Sequence, residues 1–267
     1  MWYGFHMHSE QLQKLLGDLE RCRSDDDERR LSYDSILTET RQRLHGVPLV
    51  RGITRHEHFR DALDVGLQPR NLVRGDASAV EEYLGLNGVV YTSAGILYPE
   101  REFAIVLTAR VDTEFPVEAT PWDTGAMCRS LCPTIPRPPA PERREVFLKY
   151  RLAAPYWREY LVHYVASCYS SPIDYLTLGG HAYQDPLGAL SLTWTSRCFE
   201  VRIHGSVRLE PARLEVIFSR RDKGGAEFLA TRARLSALEK QGVQVKYYNG
   251  WERLPTLVQQ WMCSRTN

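Results

Sequence analysis

The chain lacks what would place it in several classes at once. Its formal net charge is only +1 over 267 residues, so no global field argues for nucleic acid or for an anionic membrane, although a local basic face stays open. No apolar run approaches the roughly twenty residues that a membrane span needs. The first residues carry no basic start followed by an apolar stretch, and a soluble, cytosolic protein with no membrane partner is the expectation. Six cysteines (Cys22, Cys128, Cys132, Cys168, Cys198, Cys263) are scattered through a chain too long to need stapling, which predicts reduced thiols. Cys128 and Cys132 have no second pair at ligand spacing, so a zinc site does not follow from them. With 43% hydrophobic residues, a sizeable core is expected.

Apolar spacing supplies the elements. Leu12, Leu15, Leu16 and Leu19 share one side of a first helix, for which Ser9 is a candidate cap. The run Asp25-Asp26-Asp27-Glu28-Arg29-Arg30 reads as an exposed loop, and a second helix is predicted over 34–44, broken by His45-Gly46-Val47-Pro48. Residues 1–45 thus form a helical lead-in to a domain over 46–267. Ser78 and Glu81 make a capping box. Strands are predicted from Val89 to Ser93 after an Asn87-Gly88 turn, from Phe103 to Val111, and from Leu214 to Phe218. Five prolines within residues 133–141 form an extended connector. Large side chains at 156, 157, 160, 161, 164 and 165 repeat at helical spacing, as core or as a wall for a ring. Phe228, Thr231, Leu235 and Leu238 line a helix that stops at Gly242, and Val243 to Tyr248 with Trp251 form a last strand and anchor. His163 and His181 stand alone, and neither is assigned a ligand role.

Three stretches carry candidate chemistry. Pro48 to Arg51 reads as a short strand ending at Gly52, where backbone or a ligand can come close. Thr54 is then a candidate N-cap with Glu57 three residues on, Phe59, Ala62 and Leu63 form a buried face, and Gly66 supplies a left-handed stop before Leu67. The second stretch is Val90-Tyr91-Thr92-Ser93. In the third, Phe199, Val201 and Ile203 alternate with Glu200 and Arg202, which directs Glu200 toward solvent or a cleft.

The order Arg51-Gly52, Thr54, Gly66-Leu67 resembles the first motif of the ADP-ribosyltransferase superfamily in its arginine version. Tyr91, Thr92 and Ser93 resemble the family's second strand, and Glu200 its catalytic strand. Pro121-Trp122-Asp123-Thr124-Gly125-Ala126 looks somewhat like a loop of the DarT-like DNA-modifying toxins. The resemblance implies an α+β fold with a split mixed β-sheet core and flanking helices. It further implies a glycosyltransferase that uses NAD as substrate and moves ADP-ribose to a macromolecular acceptor, protein or nucleic acid. A toxin or defence effector with a neutralising partner protein fits that pattern.

By the same resemblance, Glu200 and Arg51 are catalytic, and Arg51, Gly52, Thr54, Tyr91, Thr92 and Ser93 position NAD across one cleft. Breaking the nicotinamide bond passes through an oxocarbenium-like ribose that a carboxylate stabilises, and a guanidinium suits phosphate. Cys198 stands where the arginine-directed enzymes carry a second Gln or Glu, which favours another acceptor. Three alternatives remain open. One is DarT-like modification of a nucleic-acid base, with Arg70, Arg74, Arg220, Arg221 and Lys223 as a phosphate track. The others are an inactive binding module and a metal-dependent nuclease built on His56, Glu57, His58 and Asp123.

Overall fold

The computed structural model describes residues 3–24, 27–69, 71–72, 84–86, 88–97, 101–124, 141–154, 156–177, 199–221, 225–249 and 252–265. In chain order the first elements are helices α1 (Tyr3–Ser24) and α2 (Asp27–Leu44), strand β1 (Leu49–Ile53), α3 (His56–Val65), and strands β2 (Val89–Ala94) and β3 (Phe103–Leu107). There follow α4 (Val111–Glu114), β4 (Val117–Thr120), α5 (Pro141–Tyr150), β5 (Leu152–Ala153), α6 (Tyr156–Cys168) and α7 (Pro172–Thr177). The last are β6 (Glu200–His204), β7 (Leu214–Arg220), α8 (Ala226–Lys240), β8 (Gln244–Tyr248) and α9 (Leu254–Arg265). Helices and a mixed sheet make the class α+β, as the resemblance implies. Among the described residues no helix is long and apolar enough to cross a membrane.

The chain divides into two compact units, residues 1–46, 78–86 and 116–200, and residues 47–77, 87–115 and 201–267. In the first unit α6 is the hub, packing against α1, α2, α7, β4 and β5. Its apolar spacing predicts this, since Trp157, Tyr160, Leu161, Tyr164 and Val165 are all fully buried. Leu12, Leu15 and Leu19 of α1 are buried as their spacing requires. The Gln11 side-chain amide, on the same helix, donates to the carbonyls of Leu148, Lys149 and Arg151, taking up acceptors that the end of α5 leaves without helical partners. The carboxylate of Glu118 on β4 pairs with Arg151, and β4 and β5 run antiparallel with Glu118 opposite Ala153.

A polar clasp ties α2 to α6. His163 Nε2 lies 2.9 Å from Glu159 Oε1, and its Nδ1 lies 2.6 Å from the Tyr33 hydroxyl oxygen, both within hydrogen-bond distance. Arg41 Nη2 reaches the same Glu159 oxygen at 2.6 Å. Burial by itself pushes the Glu159 carboxyl up, but the bonds from His163 and Arg41 outweigh it and hold the group below the usual glutamate range. A carboxyl depressed in the folded state stabilises above the ordinary glutamate range, and that stability is lost as pH falls through the lower folded value. Glu159→Gln is therefore expected to melt below the wild type at neutral pH by no more than about 1 kcal/mol, both ion-pair partners being over a third exposed. The difference should shrink as pH falls below the ordinary glutamate range, which melting curves of both proteins between pH 7 and pH 3 will show.

The second unit is a sheet in the order β6-β2-β1-β3-β7-β8. Strand β1 is antiparallel to both β2 and β3, with Val50 opposite Ser93 on one side and Val106 on the other. Strand β3 is antiparallel to β7, whereas β7 and β8 are parallel, with Ile217 beside Val245. That parallel pair needs a crossover, and α8 supplies it, with Thr231, Leu235 and Leu238 buried as their spacing predicts. All five residues of β3 are buried, as in an interior strand covered on both faces.

Several expectations are corrected. Ser9 lies inside α1, which begins six residues earlier at Tyr3, so it caps nothing. Asp27 to Arg30 belong to α2 and not to an exposed loop. Strand β3 stops at Leu107, and Val111 opens α4. Helix α9 was not anticipated; its Trp261 meets Phe218 edge-on at 6.4 Å and donates to Gln244 at 3.2 Å, the anchoring expected of Trp251. Trp251 itself, the Ser78-Glu81 box, Asn87, Cys128, Cys132, His181 and the connector up to residue 140 lie outside the described residues. Cys168 and Cys263 are thiols.

Candidate active site

Glu200 is the first residue of β6, and its position is set from the residue before it. Phe199 is fully buried among three aromatic rings of α6, with ring centroids 6.0 Å from Trp157, 6.2 Å from Tyr160 and 6.2 Å from Tyr164. A wall of this size fixes the strand register at the next residue. The alternation in β6 was expected to leave Glu200 and Arg202 on a face toward solvent or a cleft. Instead the strand is covered on both faces, Glu200 being 5% exposed and Arg202 fully buried.

A buried carboxylate requires donors, and Thr124 supplies two. Its backbone N–H donates to Glu200 Oε2 at 3.3 Å and its hydroxyl to Oε1 at 2.5 Å. Thr124 is carried by the turn that leaves β4. In that turn the Thr120 hydroxyl donates to the Trp122 carbonyl at 3.1 Å, and the buried Trp122 ring stands edge-on to Tyr150 at 5.1 Å. No local signal points to Thr124, because its partner is 76 residues away along the chain.

Arg51, Gly52, Thr54, Tyr91, Thr92 and Ser93 all belong to the second unit, on or beside β1 and β2. The Arg51 guanidinium is half-buried and donates from Nη1 to the Tyr91 carbonyl at 2.8 Å, so these two are brought together. The hydroxyls of Thr92 and Ser93 bond within the protein. Thr92 donates to the Val201 carbonyl at 2.7 Å, tying β2 to β6, and Ser93 donates to the Ile96 carbonyl at 2.5 Å. At Gly52 the space of a side chain is taken by Arg101 and Leu97, whose Cγ and Cδ1 would lie 2.6 and 2.8 Å from an added Cβ. The close approach predicted there is therefore made by the protein's own side chains.

Thr54 is exposed, and the capping box with Glu57 is not formed. Helix α3 begins at His56, its N-cap is Arg55 with no side-chain cap bond, and Phe59 N–H bonds the Arg55 carbonyl at 3.1 Å. Glu57 instead faces Arg55 at 3.4 Å, with both side chains exposed. The helix start is set by Phe59, stacked on Phe103 at 4.3 Å, and not by a polar cap. His56 stands edge-on to Phe103 at 5.3 Å, a packing environment. Among the described residues no three His, Cys, Asp or Glu side chains form a group able to hold a metal. In the predicted phosphate track Arg220 pairs with Glu102 at 2.8 Å and Arg221 lies over the Tyr247 ring at 5.0 Å. Arg70, Arg74, Lys223 and Cys198 lie outside the described residues.

Chemically, a buried carboxyl group whose two oxygens each accept a hydrogen bond from Thr124 has a set orientation. No family model matches the chain, and no curated protein matches it.

Proposed function

We propose that the protein is an ADP-ribosyltransferase-like enzyme that splits the nicotinamide glycosidic bond of NAD and passes ADP-ribose to a macromolecular acceptor. The observation that carries this reading is the Glu200 carboxylate, 5% exposed and held at both oxygens by Thr124. It is joined to the sequence resemblance at Arg51-Gly52 and Gly66-Leu67.

In this reading nicotinamide leaves as a neutral ring with the bonding electron pair, and the positive charge moves to the ribose carbon. Glu200, desolvated and already oriented, stabilises that charge more than it stabilises the bound substrate. The acceptor then forms a bond to the ribose carbon and releases its proton to water. Arg51, oriented by the Tyr91 carbonyl, is assigned the diphosphate, to which a planar guanidinium binds through paired hydrogen bonds. The hydroxyls of Thr92 and Ser93 hold the strand ends in place beside Tyr91. A toxin or defence role, with a partner that neutralises it, accompanies this reading.

The test is nicotinamide release from NAD by the wild type and by Glu200→Gln, which keeps size and loses charge. A fall of roughly 100-fold in kcat is expected, the size of effect seen when one transition-state contact is removed. Equal release from both proteins would sink the assignment of Glu200. Labelled NAD offered with protein, DNA and RNA pools then identifies the acceptor, because one pool alone takes the label.

A further inference from the structure

We propose that Thr124 is a positioning residue for the reaction, setting the orientation of the Glu200 carboxylate; this rests on the reading of Glu200 as the group that meets the ribose. One residue supplies both donors, and they go to opposite oxygens, the amide to Oε2 and the hydroxyl to Oε1. A carboxylate held at one oxygen can still turn about its last torsion, which is soft. Held at both, it has one orientation.

Thr124 is itself fixed. It is 2% exposed, and a β-branched side chain has few χ1 choices. The turn beneath it is secured by the Thr120 hydroxyl on the Trp122 carbonyl and by Trp122 against Tyr150. The grip thus prepares the acid ahead of binding, and reorientation is not required when charge develops.

The experiment compares wild type, Thr124→Val and Thr124→Ser in nicotinamide release, with KM for NAD and kcat measured separately. Valine keeps the shape and the backbone N–H and removes the hydroxyl, so one of two bonds is lost. A fall of roughly 10-fold in kcat with KM nearly unchanged is expected for Thr124→Val, less than removal of the charge itself, because misorientation acts on the chemical step. Thr124→Ser, which retains the hydroxyl, should stay within a few-fold of the wild type. A kcat for Thr124→Val equal to that of the wild type, or a fall in Thr124→Ser as large as in Thr124→Val, overturns the proposal and leaves the role of Glu200 intact. Absence of release by the wild type overturns the reading of Glu200, and the role of Thr124 with it. If the valine variant is not recovered folded, Thr124→Ala against Thr124→Ser reads the hydroxyl by difference, and equal kcat in those two overturns the proposal.

Discussion

Replacing Gly66 by alanine is expected to destabilise the second unit by about 4 kcal/mol, the sum of two terms. Gly66 ends α3 with φ +89° and ψ 177°, and its N–H bonds the Ala62 carbonyl at 2.9 Å. This is a region that residues with a Cβ enter only at a cost of about 1–3 kcal/mol. The second term is steric. A Cβ at residue 66 would lie 2.5 Å from the Val207 carbonyl oxygen and 3.0 Å from the Arg208 Cα, both backbone atoms that no rotamer change can move. The segment must shift, and it is the segment that forms the Leu67–Val207 bridge, with N–H to O distances of 2.8 and 2.9 Å.

Thermal melting and amide exchange at Leu67 and Val207 measure this, and protection of both amides should fall in Gly66→Ala. Gly242→Ala is the control. Its φ is +91°, yet nothing lies within 4 Å of an added Cβ, so only the conformational term of about 1 kcal/mol remains. Equal destabilisation by the two substitutions would show that the clash with Val207 contributes nothing.

Phe199→Ala is the second large effect, an expected loss of about 3–5 kcal/mol in the first unit. Phe199 is fully buried, and its ring meets Trp157, Tyr160 and Tyr164, side chains that are themselves fully buried on α6. Removing it leaves a cavity that rigid rings on a hub helix cannot close, so the cost falls at the upper end for its chemistry. Denaturant midpoints measure the loss, and Phe199→Leu separates volume from shape with an expected cost of about 1–2 kcal/mol. The neighbouring Glu200 gives a second readout. If the aromatic wall sets the register of β6, the nicotinamide release proposed for the wild type should fall in Phe199→Ala even at temperatures where the protein remains folded. Unchanged release under those conditions would confine Phe199 to stability.

The same residues show where local reading of the chain stops. Phe59, Ala62 and Leu63 announce a helix because they recur on one helical face, and they are indeed buried. Its first residue could not be read from Thr54 and Glu57, since a cap depends on which backbone amide ends up nearest, and packing of Phe59 on Phe103 decided that. Thr92 and Ser93 were legible as a strand end but not as internal donors, because their acceptors, Val201 and Ile96, are chosen by strand pairing and turn shape.

From its order of residues alone, most of this protein's strands and the buried faces of α1, α3, α6 and α8 were determined. Each is a pattern repeated within one element, at a period of two or of 3.6, and needs no distant partner. Tertiary structure alone decided that β7 and β8 run parallel, that Gly66 abuts the Val207 carbonyl, and that Glu200 is enclosed and gripped by Thr124. These pair groups far apart in the chain, and hydrogen bonds and steric contacts over such separations arise only when the whole unit has closed around them.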